Sequence, residues 1–515
     1  MDSFCLAALS AERLGLSENI TFFLCAGVGI YIAVMLGIGF WGSRRISNIE
    51  EYLVAGRKLP FWMAAATLLA SWFGAGSSLG VASTVYTSGL KGVLADPFGA
   101  ALSLLLAGLL VAGPLRKMKC LTVTDIVSRH YGRNAGIYAT LWMMPVYIGW
   151  LGSLMLGMGT IINMVTGMEM CLGTLAGAAI VLIYTYAGGM WAVTLTDVVQ
   201  MTLIIAGLFL LLPGTLSEAG GAAHLYDSLS SADLTLGISG FAGGPPVWSD
   251  WIYYIGSWMI MGLGCMVGQD LLQRSLAAKN EKIAVTSALT AGVFYFFLAM
   301  IPVTIGFAAR IVLPKYGITA DSGSDLTNQI LPQMAVIVLG KLHPVILVLF
   351  FSALISAIMS SADSCLLAGA SLFCNNILKE LKPDIPEKKF LLITRLSTVV
   401  LVGISLFFAL SVKNIYLLMK NAWVTQLVVV FLPVMAALYW PKASARTVWG
   451  AMVTSTCVWL GYCITAAVKM EKSFVEVMNN FDKPLTCGAV YGFAAGAVVF
   501  IVRYVCEQQR AKEQG

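Results

Sequence analysis

The sequence predicts an all-α integral membrane protein of about thirteen transmembrane helices, on three observations. Of its 515 residues, 58% are hydrophobic and only 11% are charged. A soluble domain carries roughly 25% charged residues, so this chain lacks the charge to coat a water-facing surface. Apolar runs of the ~20 residues needed to cross a bilayer recur along almost its whole length. The lysines and arginines also fall unevenly between the connections, as a multi-pass topology requires.

In chain order the runs lie near 21–42, 60–88, 93–115, 135–165, 168–188, 190–215, 249–269, 283–309, 344–377, 389–412, 414–440, 446–468 and 484–506. The first is expected to be a span and not a signal peptide, because no basic segment precedes it and no small-residue cleavage site closes a short core. With the N-terminus outside, the segments around 43–59, 116–134, 270–282, 378–395, 441–446 and 503–515 are cytoplasmic. They hold twenty-two of the 32 Lys and Arg; nine lie on the opposite side, and Lys420 falls within a helix. The predicted orientation is N-terminus outside and C-terminus cytoplasmic. The net charge of +6 is then a topology signal and gives no reason to expect nucleic-acid binding. The connections at about 217–248 and 310–342 become extracellular and are long enough to fold as caps.

Several chemistries have no sequence support. No G-x-x-x-x-G-K-[ST] loop is present to cradle a nucleotide phosphate. His130, His224 and His343 are scattered without zinc spacing. The eleven cysteines form no C-x-x-C pair and read as small core hydrophobes. A secondary transporter, a channel or a membrane enzyme remains. A channel would need repeated pore-lining helices, and an enzyme a nucleophile with its base or a metal set; neither is evident.

Three stretches carry polar chemistry into the apolar spans. The first is "ISAIMSSADSCLL", residues 355–367, where an aspartate at bilayer depth costs about 2.5–3.5 kcal/mol. On a helix, Ala357, Ser360, Ser361 and Ser364 share one face, with Asp363 at its edge. Hydroxyls one turn apart can offer several oxygens to one small hard cation. A small-residue packing seam with back-bonded serines is the alternative, but a seam does not need a carboxylate. The second is "YTYAGGMWAVTLTDVVQ", residues 184–200. Gly188 and Gly189 interrupt the apolar run there, and Asp197 follows about 10 Å into the next helix at ~1.5 Å per residue. Asp197 reads either as part of a second polar cluster or as a cap on a late helix start. The third is "ATLLASWFGAGSSLG", residues 66–80, whose small residues 74–78 break a span at mid-membrane. A parallel break, "GSWMIMGLGCMVG", occupies 256–268. Unwound backbone at that depth must be buried or line a cavity, and paired broken helices point to inverted repeats with a midplane site.

Together these stretches resemble the sodium:solute symporter family, the relatives of sodium/proline, sodium/glucose and sodium/sialic-acid carriers. "YTYAGGMWAVTLTDVVQ" is similar to the family signature and "SAIMSSADSCLLAGAS" to its ion-binding helix. The resemblance implies a five-plus-five inverted repeat (a LeuT-like core) over about 60–440, as repeats 60–215 and 249–440. An N-terminal part, 1–59, precedes the core, and two peripheral helices with the C-terminus, 441–515, follow it. It implies sodium-coupled symport of a small organic solute across the plasma or bacterial inner membrane, with no enzymatic activity and no defined oligomeric state. The principal sodium site would use carbonyls of Ala70, Phe73 and Ala357 and hydroxyls of Ser360 and Ser361. A second sodium, held by some members, would involve Asp197, Asp363 and Ser364, with Asp363 standing where those members have a hydroxyl.

Within the family, "ASWFGAGSSLGVASTVY" and the helix at 344–373 look like the high-affinity choline transporter branch. Trp72 and Trp150 match two tryptophans that box choline there, while Gly268 stands at the place of the third. The resemblance therefore implies a solute site against Trp72 and Trp150, beside Gly74 at the break, and Tyr254 or Trp258, on the 249–269 span, is expected to supply the missing third wall. A quaternary ammonium such as choline or betaine is one expectation. Proline or another amino acid, a sugar acid or a pantothenate-like carboxylate is the alternative.

Overall fold

The computed structural model describes residues 18–44, 46–238, 246–318, 329–411, 423–474, 476–477 and 482–514. The regular structure among them is helical. The helices that matter here are α1 (Glu18–Ser43), α2 (Phe61–Trp72), α3 (Gly76–Ser88) and α4 (Leu90–Lys117), α5 (Arg133–Thr166) and α6 (Met170–Glu218). They continue with α7 (Trp248–Ala277), α8 (Glu281–Lys315), α9 (Ile330–Leu339), α10 (Pro344–Phe373) and α11 (Glu387–Ser411). The last are α12 (Gln426–Tyr439), α13 (Ala445–Lys469) and α14 (Asp482–Gln514). Among the described residues, ten helices are long and apolar enough to cross a membrane, or eleven when α2 and α3 count as one span bent by 59°. The expected spans at 168–188 and 414–440 correspond to the first limb of α6 and to the shorter α12. Residues 412–422, including Lys420, lie outside the described residues, as do 1–17.

Burial sorts the helices into a core and a shell. α5 and α10 are the most buried of the spans, while α1, α11 and α13 turn much of their surface outward. Phe22, Phe297, Phe407 and Ile501 are exposed large hydrophobics on that exterior, a surface suited to lipid tails. One expected connection is different. Within 310–342, α9 is a buried apolar helix, because a run of ten apolar-rich residues packs inward even when too short to span.

Both expected breaks occur, in narrower form. α2 ends as Phe73 leaves the helical region (φ −86°, ψ +79°), and the Gly74 amide turns back to the Trp72 carbonyl at 3.1 Å. Serine hydroxyls add second bonds to the carbonyls at the break: Ser77 Oγ donates to Trp72 at 3.0 Å and Ser78 Oγ to Gly74 at 2.7 Å, beside the backbone bonds those carbonyls accept from Gly74 and Ser78. Ser77 and Ser78 themselves are already helical. In α7 the ladder stops at Gly268, which is extended (φ −64°, ψ +136°), and a second limb runs over Gln269–Ala277. Backbone bonds Leu59–Ala277 (3.0 Å) and Lys279–Leu59 (2.9 Å) join the entry of α2 to the exit of α7. The two broken spans are thus tied together at one end.

The third signal, Gly188-Gly189, is a sharp kink inside α6. Gly189 has φ +49° and ψ −161°, and a Cβ there would lie 2.5 Å from the Tyr52 ring. Backbone geometry and contact both exclude a side chain. The kink sets the path of the limb that carries Asp197. Gly189→Ala is expected to cost ~1–3 kcal/mol and lower the melting temperature of the purified protein. Gly403→Ala, at a helical position with open space around it, should leave melting unchanged or raised. Equal melting of the two variants would show that the kink relaxes freely.

Candidate functional site

The break in α2 lies directly on the serine face of α10. A Cβ on Gly74 would stand 2.5 Å from Ser361 Oγ, so only glycine allows this approach. Because the Gly74 amide bonds Trp72, the Ala70 carbonyl is released from the helical ladder, and Ser361 Oγ lies 3.4 Å from it. Phe73, Ala357, Ser360 and Ser361 are all buried. Asp197 enters from the second limb of α6, accepting hydrogen bonds from Ser360 Oγ at 2.7 Å and from Thr67 Oγ1. The face is all oxygen, in carbonyls, hydroxyls and one carboxylate, which is the donor set of an alkali cation.

The residues expected to hold a second ion are arranged around a fixed charge. Ser364 Oγ receives the guanidinium of Arg274, reaches the Ser360 carbonyl at 2.7 Å and lies 3.1 Å from Ser71 Oγ. The Asp363 carboxylate is 3.2 Å from the same hydroxyl. Asp197 shares Ser360 with the principal set, so the two expected sets overlap. Arg274 also bonds the Asp270 carbonyl at 2.9 Å and is completely buried. Its place in the cytoplasmic segment 270–282 is therefore corrected: charge counting treats it as a loop residue, but the second limb of α7 carries it into the core.

A narrow cavity opens beside this cluster. Trp72, Gly74 and Gly76 line it from the α2–α3 break, with Ser77, Asp96, Trp150, Met261, Tyr295 and Trp423. Trp150 and Trp423 meet edge to face with ring centroids 6.0 Å apart, and the space left, about 10 Å³, is about one water molecule's worth. Asp96 Oδ1 accepts the Tyr295 hydroxyl at 2.6 Å and Oδ2 accepts Ser77 at 2.8 Å. The Trp72 indole N–H points to Asp270 Oδ2 at 2.7 Å, and Tyr147 Oη reaches Oδ1 at 3.0 Å. Bonds therefore run from the cavity wall through Asp270 and Arg274 to Ser364 and on to Ser71 and the Ser360 carbonyl of α10.

Tyr254 and Trp258 do not line this cavity. Trp258 packs on Phe98 at 6.4 Å, because the first limb of α7 presents that side outward from the core. The third indole comes instead from Trp423, just before α12. Asp96, Tyr295, Thr67, Ser71, Asp270 and Arg274 were also absent from the sequence expectation. For Asp96 a signal existed, since an aspartate followed by proline inside the apolar run 93–115 carries the same cost that drew attention to Asp363.

The profile of the sodium:solute symporter family matches residues 52–457. High-affinity choline transporter 1 of Caenorhabditis elegans is 27% identical over 446 residues, covering 82% of this chain and 74% of that protein. The osmoregulated proline transporter OpuE of Bacillus subtilis (strain 168) is 25% identical over 475 residues, covering 90% and 93%. A solved structure of the substrate-bound, outward-open state of a Na+-coupled sialic acid symporter matches with a TM-score of 0.75 at 18% identity, over 93% of this chain and 97% of that one. That likeness shows the fold, which is LeuT-like as expected. The chain belongs to the sodium:solute symporter family, and is a multi-pass, sodium-coupled membrane transporter and not an enzyme.

Proposed function

We propose that this protein is a symporter that moves a small organic solute bearing a quaternary ammonium into the cell with sodium, by alternating access. The N-terminus is outside, the C-terminus is cytoplasmic, and the membrane is the plasma or bacterial inner membrane. The observation that carries the reading is the packing of the α2 break on α10, which sets released carbonyls against hydroxyls beside Asp197. Sodium is held by the carbonyls of Ala70, Phe73 and Ala357 and the hydroxyls of Ser360 and Ser361. Asp197 supplies the balancing charge through Ser360, and Asp363 and Ser364 shape the flank where Arg274 sits.

Coupling follows from a shared segment. Residues 70–73 supply two ion-binding carbonyls and, between them, Trp72 of the cavity wall. An ion that draws these carbonyls toward α10 also orders the indole that meets the solute. Unwound half-helices at the midplane are where such carriers bind both partners. The indoles of Trp72, Trp150 and Trp423 suit a methylated ammonium, at about 0.5–2 kcal/mol per face. A solute must part the Trp150–Trp423 contact to enter. The likeness to OpuE over nine-tenths of the chain favours proline as the second reading.

Three outcomes test this. Ser361→Ala should raise the sodium concentration for half-maximal uptake into vesicles several-fold; unchanged sodium dependence in both Ser360→Ala and Ser361→Ala would remove the site. Asp197→Asn should impair transport far more than it lowers the melting temperature, whereas normal uptake and sodium stoichiometry would reduce Asp197 to a packing residue. Trp150→Phe and Trp423→Phe should each weaken choline binding by up to ~1 kcal/mol, about fivefold. If proline drives sodium-coupled uptake while choline neither binds nor competes, the second reading replaces the first.

A further inference from the structure

The aromatic cavity contains one charged group that an indole box does not require. Asp96 stands at the irregular start of α4, where its backbone leaves the helical region (φ −136°, ψ +117°). It is 1% exposed and lines the cavity with Trp72, Trp150 and Trp423. Its two oxygens each accept one neutral hydroxyl, from Tyr295 and Ser77. These bonds orient the carboxylate without cancelling its charge. Among the described residues, the ion pairs within 4.0 Å involve other carboxylates and leave Asp96 without a basic partner. A buried carboxylate with no counter-ion, facing a cavity within a membrane-spanning bundle, is costly unless a cation is brought to it.

A second observation bears on the solute's other end. In a broken span, the N-terminus of the inner half-helix is where a solute's anionic group is ordinarily held. Here the first turn of the second limb of α7 already carries Asp270. Its carboxylate is engaged by the Trp72 indole and the Tyr147 hydroxyl. The first amides of this limb, of Gln269 and Asp270, are already taken by the Tyr147 hydroxyl at 2.6 and 3.3 Å, with the Asp270 carboxylate beside them. Two fixed carboxylates, one in the cavity wall and one at the half-helix end, oppose an acidic group there; the nearby guanidinium of Arg274 is engaged by the Asp270 carbonyl and Ser364, and no basic residue is among the described residues lining the cavity.

We propose that Asp96 is the counter-charge of the transported solute, and that the solute is a net cation without a carboxylate. This rests on the symport reading and narrows it: choline-like ammonium alcohols fit, whereas betaine, proline and sugar acids do not. The indole faces enclose the cationic head, and Asp96 distinguishes it from a neutral group of the same shape.

Equilibrium binding to the purified full-length protein, with and without sodium, tests this with three ligands of similar size. They are choline, its neutral carbon isostere 3,3-dimethylbutan-1-ol, and glycine betaine. The unmodified protein should bind choline at least tenfold more tightly than either of the others. Asp96→Asn retains acceptor and donor atoms toward Tyr295 and Ser77, so it should melt normally while losing the preference for choline over the isostere. Tyr295→Phe removes a hydroxyl but not the charge, and should keep the preference. The proposal is overturned if betaine or the isostere binds as well as choline, if no choline binding is found, or if Asp96→Asn keeps the preference. Sodium-driven proline uptake insensitive to Asp96→Asn would overturn it while leaving the symport reading standing. Loss of sodium dependence with charge-selective choline binding intact would do the reverse.

Discussion

The contact on which the rest of the structure depends is the one between Gly74 and Ser361. Unwound backbone in a membrane must find its hydrogen-bond partners inside the protein, and the α2 break finds them in serines of its own chain and in α10. A methyl group at residue 74 would fall 2.5 Å from Ser361 Oγ, so the approach exists only because that residue has no side chain. The same approach brings a released carbonyl to a hydroxyl face and starts the aromatic cavity at the neighbouring indole. The kink at Gly189 and the backbone pairing of Leu59 with the exit of α7 then hold the surrounding limbs at the distances this contact requires.

Charge is distributed around that contact unevenly. Asp197, Asp363 and Asp270 are buried with one guanidinium, that of Arg274, among them. Arg274 bonds the carbonyl of Asp270 and the hydroxyl of Ser364, so it links the carboxylate behind the aromatic cavity to the serine face of α10. A change at either end alters partners that the other end shares. Two sites built from common side chains and a common unwound segment need no long-range relay to influence each other. Asp96 touches this network only through the neutral Ser77 hydroxyl, which also bonds the Trp72 carbonyl, and among the described residues it has no ion pair.

The apolar runs, the two broken spans, the glycine kink and the serine face of α10 were all legible in the sequence, and each is a local property. Length and hydropathy decide a span, small residues decide where its ladder gives way, and helical spacing decides which serines share a face. Asp197 was legible too, as a carboxylate inside an apolar run, and the family resemblance added the carbonyls of Ala70 and Phe73 as an expectation. Tyr254 and Trp258 were expected as a third aromatic wall from their place on the 249–269 span, and they do not line the cavity. Arg274 was taken for a loop charge because a short half-helix beyond a break is not apolar enough to read as membrane-embedded.

By itself the sequence determined that this chain lives in a membrane, where its helices break and which helix carries the clustered hydroxyls, since these follow from composition and period. Only the tertiary structure decided what those features meet. Thr67 and Asp197 are 130 residues apart, and Ser71 and Ser364 are 293 apart. Trp423 closes on Trp150 from a segment with no polar signal of its own. In lipid, any apolar face can pack against another without penalty, so pattern alone does not choose the neighbour; close approach of small residues and satisfaction of buried polar groups do, and both are properties of the assembled bundle.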